Sequence, residues 1–269
     1  MSDVRMPEKQ PTQDWKPGIM EPIDRVGVEN VRTHFTINRN GIPFIHLPVV
    51  DVFIDLKRDK KGIHMSRLIE TINEVVSRRK GDPSLEQVGS DILDGIARKH
   101  SYRKGLVIIK SQLLIPRLTP VSRKQTFESY DIVVKVTRDG GVRKYLEVTA
   151  IGCNLCPHSL QLTGGKSHIQ RAVLTLGIET DMASELRLED MADICDSCFS
   201  SPTYMVVKGM DEKYLVEHMY ENPKFVEDLA RECLSKARTL GVSGRVHIKA
   251  RTLEAIHKHD AVSEIEREI

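Results

Sequence analysis

The chain has 269 residues, enough for one large domain or two smaller ones with a full hydrophobic core, so disulfides are not needed to hold it together. With 40 Lys plus Arg against 38 Asp plus Glu, the net charge of +2 provides no broad electrostatic footprint for nucleic acid, and any bound anion must be met by local charge. No apolar run approaches the roughly 18 residues of a membrane-spanning helix, and an odd five cysteines, two C-x-x-C pairs and no signal peptide point to a reducing, cytoplasmic compartment.

Residues 1–20 are polar and proline-bearing and read as an extended or mobile arm. From Thr33 to Leu56, β-branched and aromatic residues flank Asn40-Gly41, which predicts a hairpin. Apolar residues at helical spacing predict helices over 64–79 and 84–99, separated by Gly81-Asp82-Pro83. Strands follow near 105–115 and 128–137, and the turn at 138–141 closes the first half. The second half opens with a strand in which Leu146, Val148 and Ala150 alternate with polar neighbours. After a cysteine-bearing stretch come a strand at 171–180, helices near 184–196 and 222–240, and a last strand at 245–252. The later helix is expected to start on Asn222 as N-cap with Pro223 in its first turn, and to carry an apolar stripe of Phe225, Leu229, Cys233 and Leu240. Strands, helix pair and strand thus occur twice, so the expected fold is a duplicated α+β unit over 21–140 and 141–269.

The stretch CNLCPHSLQLTGGKSH, residues 153–168, carries two cysteines and two histidines. Cys153 and Cys156 with Cys195 and Cys198 could supply four thiolates to one structural zinc, which would make the chain a zinc-clipped binding module, with nucleic acid as a conceivable partner. The competing reading is a mixed site of thiolate, imidazole and carboxylate that leaves a coordination position open, as catalysis requires. Spacing alone leaves both open. The TGGK run at 163–166 lacks the full phosphate-loop pattern and precedes a strand, so a P-loop is excluded.

Five motifs in order decide further: GIHMSRLIE (62–70), LCPHS (155–159), SHIQR (167–171), DEKYLVEHMYENPKFVED (211–228) and EAIHKHDA (254–261). Together they resemble the type IB GTP cyclohydrolases and their archaeal, methanopterin-pathway relatives, over nearly the whole chain after the arm. The resemblance implies an α+β fold of two fused tunnelling-fold units, antiparallel sheets with helix pairs on one face. It also implies a homo-oligomer, a dimer or tetramer with active sites at subunit interfaces, and one divalent metal per subunit, Fe²⁺ favoured over Zn²⁺ or Mn²⁺. The implied substrate is GTP, whose imidazole ring is opened with release of formate to give a 7,8-dihydroneopterin triphosphate or 2′,3′-cyclic phosphate; nucleic acid and membrane are not partners. By the same resemblance Cys156 and, twelve residues on, His168 are metal ligands, Glu212 is the carboxylate near the metal, and Glu227, Glu254 and His257 are active-site groups. His158 stands where many members have a second cysteine.

Ring opening at C8 needs an activated water and a proton source. A metal ion supplies the first, and His257 suits the second because imidazole titrates near neutral pH. Its plainer reading is a surface histidine in the polar run HKHD. Glu227 falls away from the apolar stripe of its helix, which by itself describes a solvated carboxylate; as a functional group it would accept from the ring N–H and exocyclic amine of guanine. Arg67, Lys166 and Arg171 are candidates for the triphosphate against a plainer role as surface charges, and His64 is singled out only by its motif.

Overall fold

The computed structural model describes residues 11–39, 42–78 and 84–269, with side chains omitted over 35–46. The turn residues Asn40 and Gly41, the Gly81-Asp82-Pro83 break and the first ten residues of the arm lie outside the described residues.

The chain divides into two compact units, Met1–Ile109 with Lys135–Val142, and Lys110–Val134 with Arg143–Ile269. The first unit contains β1 (Ile23–Arg32), β2 (Phe35–Arg39), β3 (Ile42–His46), β4 (Val49–Leu56), α1 (Met65–Arg78) and α2 (Leu85–Ala97). The long strands β5 (Lys104–Leu118) and β6 (Gln125–Asp139) contribute residues to each unit. Strand order in the first unit is β1-β4-β5-β6, while β2 and β3 form the separate hairpin predicted around Asn40-Gly41. The core follows the sequence periods. Val50, Val52, Ile54 and Leu56 alternate along β4 and are buried, as are Leu68 and Ile72 of α1 and Val88, Ile92 and Ile96 of α2. Ser84 caps α2 by accepting from the Gln87 amide at 3.3 Å.

The second unit contains β7 (Val142–Leu155), α3 (Pro157–Thr163), β8 (Ile169–Asp181), α4 (Leu188–Cys198), β9 (Ser201–Pro202), α5 (Gly209–Glu221), α6 (Val226–Ala237), β10 (Arg245–Thr252) and β11 (Ala261–Glu268). Its order is β5-β6-β7-β8-β10-β11, with β9 on β7. Register is unbroken from Arg143↔Asp181 to Leu155↔Ile169, from Ala172↔Thr252 to Glu179↔Arg245, and from Thr252↔Ala261 to Arg245↔Glu268. The inward rows Leu146-Val148-Ala150, Ala172-Leu174-Leu176-Ile178 and Val246-Ile248-Ala250 are buried, with β8 packed on α4 and α6 and β10 on α6, where Met191, Ala192, Cys195, Leu229, Ala230 and Cys233 are buried in turn. At one end of the sheet these rows turn polar while staying inside: Asn154, Gln170 and Thr252 are 0, 8 and 1% exposed.

The start of α6 differs from the sequence expectation. Asn222 caps the C-terminus of α5, because the residue before a proline is driven out of the helical region. The next helix begins at Val226 after Phe225, whose amide donates to Asp228 Oδ2 at 3.0 Å. The apolar stripe shifts accordingly: Leu229 and Cys233 are buried as expected, but Val226, Ala230 and Ala237 join them, Phe225 is exposed and Leu240 lies beyond the helix.

Gly152 on β7 is a close-approach position, since a Cβ there would sit 2.2 Å from Cγ of Phe199, itself 1% exposed. Gly152→Ala is expected to displace that ring and lower stability by about 1–3 kcal/mol, as overpacking does. Urea unfolding of the variant checks this, with Phe199→Leu restoring part of the loss in the double mutant; an unchanged midpoint would place the ring elsewhere.

Candidate functional site

The unbroken registers bring the C-terminal ends of β7 and β10 and the N-terminal end of β8 to one end of the second unit's sheet. Cys156 leaves β7 there as the N-cap of α3, with Pro157 in the first turn. Its amide donates to the His168 carbonyl at 3.3 Å, and its carbonyl accepts from Ser167 Oγ at 2.7 Å. Helix α3 is ended by Gly164 in the left-handed region, φ 69°, whose amide returns to Leu160 and Gln161 carbonyls. The excursion from 157 to 167 is therefore a closed loop whose two ends, Cys156 and His168, are joined by one backbone hydrogen bond, with Ser167 Oγ bracing the Cys156 carbonyl.

His168 is half-buried, with Nδ1 2.6 Å from Oε1 of Gln170. Gln170 Nε2 donates to Glu254 Oε1 at 3.3 Å, and Thr252 Oγ1 donates to the same oxygen at 2.6 Å. Glu254 is held at that place by its neighbour, since the Leu253 amide donates to the Arg171 carbonyl at 2.9 Å. Cys156, His168 and Glu254, picked from separate motifs, thus stand in one hydrogen-bonded chain. Gln170 and Thr252, which link them, were not picked. The available signal was that each is a polar residue at the end of an otherwise apolar alternating row.

The other expected residues are placed as follows. His158 is exposed on the first turn of α3, and Lys166 is exposed in the turn that closes it, its amide donating to Thr163 Oγ1. Arg171 is exposed on β8 opposite Cys153 in register. His257 is exposed in the β10–β11 connection, its ring stacked on His259 at 5.0 Å. Glu212 is exposed on the first turn of α5 and Glu227 on the first turn of α6. In the first unit, Arg67 is exposed on α1 and donates to the Lys99 carbonyl at 3.4 Å, and His64 lies 6.0 Å from the ring of His100. Among the described residues no three His, Cys, Asp or Glu side chains stand close enough together to share one ion.

Two buried ion-dipole anchors hold α5 and α6 to this end of the sheet. Asp211, 0% exposed, accepts from the Val121, Ser122 and Lys208 amides and from Ser122 Oγ, a set of donors that outweighs burial and holds its carboxyl well below the usual range. Lys224, 9% exposed, donates through Nζ to the Cys198 carbonyl at 2.8 Å and to Glu232 at 2.6 Å. Its amide donates to the Leu155 carbonyl and its carbonyl accepts from Asn154, so the chain just before α6 is bolted beside Cys156.

The zinc clip finds no support. Cys195 and Cys198 are buried on α4, and both thiols meet Cys233 of α6. The hydrogen bond with Cys233, then burial, pushes the Cys198 thiol up, which favours the protonated packing form. Cys153 packs beside Leu155, Leu215 and Met219, and burial pushes its thiol up despite Arg171. A cleft of about 420 Å³ in the same unit, lined by Arg117, Glu128, Asp193, Asp196, Tyr204 and His218 among others, contains none of the expected residues. Its charges already pair with one another, Arg117 with Asp193 and Asp196.

The family model described as type I GTP cyclohydrolase folE2 matches residues 9–263. GTP cyclohydrolase MptA of Thermococcus kodakarensis is 43% identical over 261 residues, covering 94% of this chain and 97% of that protein. GTP cyclohydrolase MptA of Pyrococcus abyssi is 44% identical over 260 residues, covering 94% and 97%. GTP cyclohydrolase FolE2 of Burkholderia pseudomallei is 31% identical over 271 residues, covering 99% and 97%. Uricase from Arthrobacter globiformis, a solved structure, shares the fold at a TM-score of 0.57 with 8% identity, over 91% of this chain and 93% of that one. The architecture is accordingly the expected α+β tunnelling fold. With five motifs in order and a match over nearly all its length, the chain belongs to the type I GTP cyclohydrolase folE2 family.

Proposed function

We propose that this chain is a cytoplasmic, metal-dependent GTP cyclohydrolase that opens the imidazole ring of GTP, releases formate and makes a dihydroneopterin phosphate for a methanopterin-like or folate-like pathway. The observation that carries the reading is the hydrogen-bonded chain Cys156, His168, Gln170, Glu254, because it gathers family-motif residues far apart in sequence at one sheet end. Two MptA proteins at 43 and 44% identity favour the archaeal branch and hence the 2′,3′-cyclic phosphate product, while other MptA proteins, at 30 and 28%, stand no nearer than FolE2 proteins at 28 and 31%.

A soft thiolate and an imidazole, on two residues joined by a backbone hydrogen bond, suit Fe²⁺ or Zn²⁺, with Mn²⁺ a weaker fit. We assign Cys156 and His168 to hold the ion, with Glu212 and His158 as further candidates supplied by the resemblance. When bound, the ion supplies Lewis acidity that makes water a nucleophile at neutral pH. The chain's own residues do the rest. Glu254, fixed by Thr252 and Gln170, and His257, on a loop that lets it approach substrate, accept and return protons as the purine C–N bonds break. Glu227 accepts from the guanine N–H groups, and Lys166 and Arg171 meet phosphate oxygens, while Arg67 and His64 are candidates through their motif alone.

A carboxylate left open to water discriminates guanine poorly, because solvent competes for the same donors. Glu227 is exposed in the single chain. Its proposed role therefore calls for a cover, and we infer that a second copy of the chain provides it in a homo-oligomer, a dimer or tetramer with pockets at subunit interfaces.

Anaerobically purified protein incubated with GTP and Fe²⁺, Zn²⁺ or Mn²⁺ is expected to release formate together with a pterin phosphate identified by mass; no formate with any of the ions would sink the reading. Cys156→Ala and His168→Ala should each lose bound metal and formate release while keeping the thermal unfolding midpoint of the metal-free wild type. Cys195→Ala should retain the metal and lose only packing, about 1 kcal/mol. His257→Ala should bind GTP and metal but turn over about 10²–10⁴-fold more slowly. Refolding Cys156→Ala and Glu227→Ala proteins together, each inactive alone, should restore part of the activity if pockets are shared. Inactive, verified mixed oligomers would assign both groups to one chain, joined through the Lys224–Leu155 hydrogen bond.

A further inference from the structure

We propose that Gln170 is a positioning residue that fixes the ring tautomer of His168 and so prepares that histidine to bind the metal; this rests on the assignment of His168 as a ligand. Gln170 continues the inward row of β8 below Ala172, in register with Asn154 of β7, and is 8% exposed. An apolar side chain would fill this place at lower desolvation cost, so the amide needs partners to be tolerated there. It has two, and they are different in kind. On one side lies Glu254 Oε1, at 3.3 Å from Nε2; on the other lies His168 Nδ1, at 2.6 Å from Oε1.

The orientation of the amide follows from chemistry. An ionised carboxylate only accepts, so the NH₂ of Gln170 must face Glu254. The second hydrogen bond on that carboxylate, from Thr252 Oγ1 at 2.6 Å, is consistent with an acceptor there. The carbonyl oxygen of Gln170 is then directed to His168 and can only accept, so Nδ1 of His168 must carry its proton. In neutral imidazole one nitrogen is the donor and the other the acceptor. Nε2 is left as the sole lone pair of the ring. Metal-binding histidines are oriented by such a hydrogen bond on the opposite nitrogen, and loss of that partner lowers metal affinity about 10–100-fold. The chain Thr252, Glu254, Gln170, His168 thus transmits a single polarity: the carboxylate orients the amide, and the amide orients the ring. A glutamate in place of Gln170 could still accept from His168 but would set two carboxylates against each other. A leucine would keep the volume and remove the acceptor.

The test reads the ring itself, in metal-free protein, before any activity. Protein labelled with ¹⁵N-histidine is examined by long-range ¹H–¹⁵N correlation at pH 8, and the His168 signals are assigned by their loss in His168→Asn. The wild type is expected to show the Nδ1–H form, with Nε2 unprotonated. Gln170→Leu is expected to shift the ring toward the Nε2–H form and to weaken Zn²⁺ or Fe²⁺ binding about 10–100-fold. Gln170→Glu is expected to retain Nδ1–H. An Nε2–H ring in the wild type overturns the proposal whether or not any variant folds. A folded Gln170→Leu protein with unchanged tautomer or unchanged metal affinity also overturns it. Failure of the GTP reading would appear instead as absent formate release with the tautomer and metal binding intact, so the two are separable.

Discussion

The antiparallel register of β7, β8 and β10 is the constraint on which the candidate site depends. Side chains alternate faces with a period of two, so a slip of one residue would turn every inward side chain of a strand outward. The register runs without a bulge from Arg143↔Asp181 to Leu155↔Ile169 and from Glu179↔Arg245 to Ala172↔Thr252. Burial of Leu146, Val148, Ala150, Leu174, Leu176, Val246 and Ile248 against α4 and α6 fixes that phase. At roughly 25 cal/mol per Å² of apolar surface, each buried Leu, Val or Ile among them favours the observed phase by about 1.5–3 kcal/mol. The polar residues at the row ends are then carried into place by the apolar ones. Asn154, Gln170 and Thr252 are inside because the residues two, four and six positions away are inside.

Asn154 reaches the Lys224 carbonyl and accepts from the Ser200 amide, which ties the end of β7 to the segments before α6 and after α4. Lys224 answers with its own amide on Leu155 and its ammonium on Cys198 and Glu232. A buried ammonium is tolerated because it is both paired and hydrogen-bonded. Asp211 plays the same part for α5, its carboxylate taking donors from the β5–β6 turn and from the Lys208 amide. Glu212 is next to one anchor and Glu227 three residues beyond the other, so both proposed functional carboxylates stand on helix starts whose positions are set by buried charges.

The parts of this arrangement that were legible in sequence are those with a strong period. Helices α1 and α2 and strands β5 to β8 and β10 carry clear apolar spacing and were expected within a few residues, whereas the second of the two strands expected between Thr33 and Leu56 divides into β3 and β4. What escaped reading was polar or short. β1 and β11 are the edge strands of their units, rich in charge, and an edge needs little burial to be held by its neighbour. Helix α3 has seven residues, too few for a helical period to register. The Asn222-Pro223 pair fits a helix start as well as a helix stop, and the tertiary anchors Asp211 and Lys224 decide for the stop. The cysteines show the same ambiguity: two C-x-x-C pairs read as one ligand set, until packing assigns Cys195 and Cys198 to the interface of α4 with α6.

The site follows a related rule. Motif resemblance picks candidate residues, Cys156, His168, Glu254 and His257, and misses the amide and hydroxyl that hold His168 and Glu254. Gln170 and Thr252 have no reactivity to advertise, and a Gln or Thr in isolation suggests a surface position. Their signature lies in placement: a polar residue occupying the last inward position of an alternating apolar strand, two residues from a candidate ligand. Burying such a group without a partner costs on the order of 1–3 kcal/mol, so its presence inside implies a partner, and the partner's own chemistry fixes which atom donates. By this route a hydrogen-bond direction, and with it a histidine tautomer, becomes deducible from strand phase and acceptor identity alone.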